Sequence, residues 1–588
     1  MVLPALRAVA LVALALALVP AASAATNPIA PPSIPAAQGA ARSTEQQVRA
    51  VFLAVPKVKA WLERYPPNPV VDTSYANGVW TVNVFSGRAG EIATGKVDDI
   101  TTSVTEAWTG PQVAWTQARG YPGQFGGKKI NSLGVWLGFC AAFLIGLVDW
   151  RRLRSVRNLD LVVLLSFSVS LWFFNHGNIF TAIPLLYPAY LWLIVRCAFV
   201  ARRDRPSAGA PVWPVWVLAA ATVFLAGFRI GLNVRDSNVI DVGYSGVIGA
   251  DRIWHGQSPY GHFPVEDDRP KCGLPDSNGE VRNRIQTNGK CETANPLGDT
   301  YGPVSYLAYL PGYLIFGWNH KWDATTGWSE LPAVHATSIL FDTLALLGLA
   351  LVGRRLGGPR LAATLAFAWV AWPFSQYASS SNTNDSIMPA LLIFGFLALT
   401  SDVARGAAVA VSGWTKFATL LLVPLWAGYP SARDPLRSRR YAIAFVVTTA
   451  VVFFVLLLEP SPVHAARVFF DRTIRYQVGR DAPFSLWDWG QYHARGIPDL
   501  HLLQRVLQVT LVLAALAFGW WPRRRSPLRL AALTTVLLVG FEFVLTYWNY
   551  PYLTWFFPFA CLALVGPLQG APPDPAPDEK SQPTLVAA

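Results

Sequence analysis

The sequence predicts a mainly α-helical, polytopic transmembrane bundle preceded by a small exported α+β domain. Of the 588 residues, 53% are hydrophobic and only 14% are charged, whereas a soluble chain of this length would alternate its polarity far more often. Apolar runs of membrane-spanning length recur from about residue 132 to 567, flanked by turn residues or charges. The 24 Trp and 19 Tyr cluster near the ends of those runs, where amphipathic rings suit the headgroup level.

From the start of the chain, residues 1–24 read as a secretory signal: Arg7, the apolar core AVALVALALALVP, then Ala22-Ser23-Ala24 as a small-residue cleavage site. An uncleaved first membrane helix is the alternative, and in both cases the next segment starts outside. Residues 25–130 form the exported domain, beginning with an Ala/Pro/Ser-rich linker to about residue 45. Within it, EQQVRAVFLAVPKVKAWLERYP has helical periodicity, and GVWTVNVFSG and the Thr/Val-rich run after Lys96 read as strands. The helix, the strands and the phrase VDDITTSVTEAWTG resemble PepSY-like domains. No catalytic cluster stands out there, so a binding or regulatory appendage is expected.

Residues 131–210 hold the first membrane helices, 211–567 a larger membrane domain with outer loops at 235–301 and 459–501, and 568–588 a disordered tail. Basic residues outnumber acids 48 to 35 and fall largely in short connections: RRLRSVR, ARRDR, RRLGGPR, RSRR and RRR. These read as cytoplasmic anchors that set topology, and not as a nucleic-acid surface. Counting spans from either end agrees only if 302–318 and 406–428 are broken or re-entrant. Pro303, Pro311, Gly312 and Gly413 supply the breaks. About eleven full spans are expected, or thirteen if those two segments cross.

Cys140, Cys197 and Cys561 lie in apolar helices and read as small core residues. Cys272 and Cys291 bound a polar stretch of the exported loop, where an oxidising compartment favours a disulfide. His255, His262, His464 and His493 are too scattered for a metal site, and no DxD pair is present.

Chemistry is expected at the outer surface. Asp236 and Asp241 stand where a helix meets the long loop. The loop at 464–495 carries Arg467, Arg472, Arg475, Arg480 and Arg495 on the face where the positive-inside rule predicts few cations; a planar guanidinium fork suits phosphate. If FFDRTIRYQVGR is an α-helix, Arg472 and Arg475 share one face. Solvation or headgroup binding would equally account for any one of these arginines. Lys416, alone in SGWTKFATLLLVPLW, needs water, a carboxylate or a ligand. Asn384 and Asp385 end the polar patch SSSNTND, where Asp385 either caps a helix or binds substrate. Tyr301, Trp487 and Trp489 suit stacking on a sugar or prenyl chain, and suit interfacial anchoring equally.

The order Asp241, Tyr244, HGQSPYG with His255 and Tyr260, then TYGPVSYLAYLPGYLIFG with Tyr301 resembles glycosyltransferases of the GT-C superfamily. It is closest to glycosyltransferase family 87, the actinobacterial polyprenol-phosphate-mannose-dependent mannosyltransferases. The resemblance covers roughly 220–567 and extends to SSSNTND, the Lys416 segment and FFDRTIRYQVGRDAPFSLWDWGQ. The chain departs from the family in its extra N-terminal unit, its cysteine-bounded insertion, and Gly302-Pro303 where a Pro-Pro pair is often found. The resemblance implies inverting transfer of a sugar, mannose first, from a polyprenyl-phosphate co-substrate to an envelope glycolipid or glycan. It implies no further cofactor. Asp241 is then the base with Asp236 its rival, Lys416, Arg472, Arg475 and Arg480 hold the donor phosphate, and Tyr244, His255, Tyr260, Tyr301, Asn384, Asp385 and Trp487 line the substrate site. Partners would be membrane lipids, with no nucleic acid. Two other classes fit the composition: a secondary transporter built on broken helices, and a non-catalytic envelope scaffold.

Overall fold

The computed structural model describes residues 41–120, 125–206, 209–261, 299–318, 331–478, 480 and 482–565. The expected signal, the Cys272–Cys291 insertion and the C-terminal tail lie outside the described residues.

The N-terminal unit begins with a capping box, in which the Thr44 hydroxyl accepts from the Gln47 N–H and the Gln47 side chain accepts from the Thr44 N–H. The single helix expected there is two, Glu45–Ala54 and Pro56–Leu62, because Pro56 cannot donate into the first helix and instead starts the second. Four antiparallel strands follow as a meander in the order β1 (Val70–Ala76), β2 (Val79–Phe85), β3 (Glu91–Asp98) and β4 (Val104–Thr109). Strand β1 and most of β3, which precedes Lys96, were not anticipated. The turn after β1 is legible in Asn77-Gly78, whose φ values of 51° and 78° form the two-residue loop that twists with the strands it joins. Strand β2 alternates as the sequence predicts: Trp80, Val82 and Val84 are buried with Val48 and Phe52 of the first helix. Asp99 ties the unit together, accepting from the Arg42 N–H at 2.9 Å, the Ser43 N–H at 2.9 Å and the Trp80 indole at 2.9 Å.

The rest of the described chain is helical. Among the described residues, seven helices are long and apolar enough to cross a membrane: Val156–Asn175, Ile179–Arg203, Val215–Asp236, Pro332–Ala371, Pro435–Leu458, His501–Trp520 and Pro527–Val544. This is fewer than the eleven full spans expected, because several apolar stretches fold as short or interrupted helices. Leu133–Leu147, Asn384–Leu397 and Phe557–Leu564 are short, and Pro332–Ala371 takes up two of the expected spans. The two segments expected to be broken are so: residues 303–316 split into Pro303–Leu307 and Leu310–Phe316. The 406–428 stretch breaks after Gly413, turns extended at Lys416 and resumes as a 3₁₀ turn, Phe417–Leu422. The 40-residue Pro332–Ala371 helix is itself two, divided at Gly357 and Gly358, within RRLGGPR.

Arg229 pairs with Asp342 and Arg196 with Asp160 at 2.8 Å inside the bundle, where a low-dielectric interior favours pairing, while buried Arg157 donates to the Leu147 and Val565 carbonyls at 2.7 and 2.9 Å. Cys197 and Cys561 are buried free thiols as expected, and Cys140 is half-buried.

The N-terminal unit sits against one end of the bundle. Trp61 stacks on Phe180 at 5.5 Å, Arg495 N–H donates to the Arg64 carbonyl at 2.9 Å, and Gln112 donates to the Gly177 carbonyl at 3.0 Å. Beyond the sheet the chain crosses that end so closely that a Cβ on Gly127 would lie 2.0 Å from the Asp236 carbonyl oxygen.

Candidate functional site

At the end of the bundle that carries the N-terminal unit, several interrupted helices bring their polar residues together. Asp241 opens the Asp241–Trp254 helix, where exposed N–H groups favour a negative charge. Two glycines seat that helix: a Cβ on Gly246 would meet the Tyr309 ring at 2.4 Å, and one on Gly249 the Tyr306 ring at 2.1 Å. Asn382 supplies the link to the next part of the site. It takes a left-handed φ of 52°, which Asn tolerates better than most side chains. Its amide donates to Ser237 Oγ at 2.9 Å and to the Asn238 carbonyl at 2.8 Å, and accepts from Asn233 at 3.0 Å. The end of the Val215–Asp236 helix is thereby tied to the loop bearing Asn384 and Asp385.

Lys416 projects from the break after Gly413. Its Nζ lies 3.2 Å from Asp385 Oδ1 and faces three rings, Tyr301 at 5.2 Å, Tyr552 at 5.1 Å and Trp555 at 5.5 Å. Trp555 donates its indole N–H to the same carboxylate oxygen at 3.0 Å. Lys416 and Asp385 are both buried, so the ammonium is stabilised by a carboxylate and by ring faces instead of water. Asn384 donates to Ser305 Oγ at 3.0 Å, and Ser305 donates to the Thr415 carbonyl at 3.0 Å, which holds the three broken segments in register. Here backbone breaks place side chains at depth.

Arg480 is the second cation. Its guanidinium lies 3.5 Å from the Tyr547 ring centre and 5.6 Å from that of Tyr476. Asp241 is half-buried and within electrostatic reach of Arg480, Lys416 and Asp385. Burial pushes its carboxyl above the usual range, against the opposing pull of Arg480 and, more weakly, Lys416. Tyr301 shares the same surroundings, with Asp241, Arg480, Tyr547 and Tyr552 about it. A carboxyl group raised above its ordinary range by burial thus stands near two cations, in a recess walled by tyrosine and tryptophan.

Among the residues singled out from sequence, Asp241, Tyr301, Asp385, Lys416 and Arg480 meet in this recess. Asn384 and Tyr260 support it from behind, the Tyr260 hydroxyl donating to the Tyr301 carbonyl at 2.8 Å. Tyr244 is buried on the Asp241–Trp254 helix. Asp236 ends the preceding helix, beneath Gly127. His255 is exposed at the far end of the Asp241–Trp254 helix, beside Asp251 at 3.3 Å. Trp487 is packed among Tyr187 and Phe543 and donates to the Phe543 carbonyl at 2.7 Å.

Arg472 and Arg475 do not share a face. Residues 470–475 wind as a π-helix, whose wider turn rotates residues three apart away from each other. Arg472 points to buried Asp299 at 3.8 Å, and Arg475, 75% exposed, to Asp471 at 3.8 Å. Cys272 and Cys291 lie outside the described residues. Among the described residues, no three His, Cys, Asp or Glu side chains converge as a metal site would require.

Sequence reading missed Tyr547, Tyr552 and Trp555. Their signal was TYWNYPYLTWFF, in which Asn549 and Pro551 stand at the junction of the last two expected spans; it folds as a 3₁₀ segment, Tyr550–Thr554, and a short helix, Phe557–Leu564.

The fold and site define a multi-helix chain of the membrane-spanning kind, with a charged, aromatic-walled recess at the end bearing its α+β unit. Comparison with protein-family models, with curated proteins and with solved structures finds no match to this chain.

Proposed function

We propose that this protein is an inverting, GT-C-like glycosyltransferase of family 87 character, taking a sugar, most simply mannose, from a polyprenyl phosphate. The acceptor is an envelope glycolipid or glycan on the outer face of the membrane. The observation that carries the reading is the grouping of half-buried Asp241 with Arg480 and Lys416 in one recess.

In this reading Asp241 removes the acceptor hydroxyl proton as the new bond forms to the anomeric carbon. The bond from that carbon to the phosphate oxygen breaks on the opposite face, and the departing phosphate meets Arg480. Arg480 and Lys416 supply the charge stabilisation, and Lys416, paired with Asp385 at 3.2 Å, also shapes the floor. Tyr301, Tyr552 and Trp555 offer ring faces to the sugar or the first prenyl units.

The test is transfer of radiolabelled sugar from polyprenyl-phosphate mannose to membrane lipids by the purified protein, beside Asp241→Asn. Transfer that vanishes in the variant supports both reaction and base, and transfer that survives moves the base to Asp236. No transfer from mannose, arabinose or glucose donors, with acceptors present, refutes the reading in favour of a transporter or scaffold.

A further inference from the structure

The segment that delivers Arg480 has a second face for which this reaction gives no role. Residues 462–478 are continuously helical, in three pieces: Pro462–Phe469, the π-helical Phe470–Arg475, and Tyr476–Val478. Three stripes run along it. Ala465, Phe469, Thr473 and Tyr476 face the protein, and Tyr476 offers its ring to Arg480. A second stripe, Val463, Ala466, Phe470, Ile474 and Val478, is apolar at helical spacing, with Val463 76% and Phe470 53% exposed. A third, His464, Arg467, Asp471 and Arg475, is exposed and polar. The apolar stripe lies between the protein-facing and polar ones, so solvent would meet oil on one flank and charge on the other.

The chain on either side indicates what covers the oil. Three residues separate the end of the apolar span Pro435–Leu458 from the segment's first residue, with Leu457 70% exposed, and Leu502, in the first turn of the next span, His501–Trp520, is 80% exposed. Two lipid-length helices with bare apolar ends bracket the segment. An amphipathic helix with one apolar and one cationic flank, tethered there, meets the conditions for lying in a bilayer interface.

We infer that residues 462–478 form an interfacial helix that lies in the leaflet on the side of the N-terminal unit. Its apolar stripe contacts acyl chains, and Arg467 and Arg475 sit at the level of the lipid phosphates. Their long stems allow the guanidinium groups to reach the headgroups while the backbone sits lower. The segment thereby runs from a lipid surface to Arg480, a route along which a lipid-borne phosphate would remain bathed in lipid. The placement in the leaflet stands whether or not the proposed reaction is correct.

Spin labels test this directly. Single cysteines replace Val463, Arg467, Phe470, Arg475 or Val478 in a background lacking native cysteines, in full-length protein reconstituted in phospholipid nanodiscs. Collision with oxygen, which concentrates in acyl chains, is compared with collision with a polar nickel chelate confined to water. Expected are oxygen-dominated collisions at 463, 470 and 478, and chelate-dominated collisions at 467 and 475. Chelate-dominated collisions at all five would overturn the inference in favour of a solvated loop. Low collision with both reagents at 463 and 470 would also overturn it, because another part of the protein would then cover the stripe. Each variant is read only if its melting midpoint matches that of the unlabelled parent; a label at Ala466 replaces an apolar-stripe position that fails, and one at His464 a polar-stripe position.

Discussion

Replacing Lys416 with Met tests whether the buried ion pair at the floor of the recess is a single energetic unit. At 3.2 Å and an effective dielectric near 20, the attraction between Lys416 and Asp385 amounts to about 5 kcal/mol. Removing the two ions from water costs several kcal/mol each, so the intact pair contributes little net stability. Breaking it differs from lacking it. Lys416→Met leaves the Asp385 carboxylate buried with the Trp555 indole bond but without its cation, at a cost of about 3–5 kcal/mol. Asp385→Asn strands the ammonium among three rings, whose faces recover part of a similar loss. The double variant has no buried charge, and should regain at least half of the summed loss. The assay is a double-mutant cycle on unfolding midpoints in one detergent. If the double variant loses as much as both singles together, Lys416 and Asp385 do not act as a pair, and the account of the floor is wrong.

Asp241→Asn should lower sugar transfer by about 10²- to 10⁴-fold, with the unfolding midpoint unchanged, as expected for loss of a general base. Because a base works ionised and burial raises the Asp241 carboxyl, kcat should fall on the acid side of a pH profile, at a pH above the ordinary carboxylate range. Gly302→Ala should impair transfer while the chain still folds: its Cβ would lie 2.0 Å from the Trp414 carbonyl oxygen, forcing back the strand of chain that presents Lys416. In the N-terminal unit, the Arg42 N–H bonds, with those from Ser43 and Trp80, hold the Asp99 carboxyl down to about 2. A depressed pKa contributes stability that is present above the unfolded value near 4 and is lost as pH falls toward about 2. Hydrogen exchange over residues 42–109 should therefore accelerate across that window in the native protein, and at neutral pH in Asp99→Asn.

Much of the fold was legible because its causes are local. A membrane-length apolar run favours a helix wherever its backbone groups lack water, so the long spans could be read directly, and Pro303, Pro311 and Gly413 marked where helices fail. Asn77-Gly78 encoded its hairpin turn in the same local way, although β1 before it went unread because its weak Asp/Thr/Ser alternation follows a Pro-rich stretch. Lys416 could be singled out because a lone charge in apolar surroundings demands a partner.

Which partner it meets is a tertiary matter. Asp385 lies 31 positions earlier, Trp555 lies 139 positions later, and no local periodicity relates them to Lys416. Aromatic residues carry the same signal whether they face lipid, core or cation, which is why Trp487 drew attention and Trp555 did not. Arg472 and Arg475 diverge because a π-turn replaced the α-turn, a choice made by the packing of residues 470–475 and not by their helical propensity. The sequence by itself determined the long spans, the breaks at Pro303, Pro311 and Gly413 and the need for a partner to Lys416, since desolvation and backbone sterics act over a few residues. Tertiary structure decided which side chains share the recess, since its walls come from helix ends that meet only after the bundle has packed.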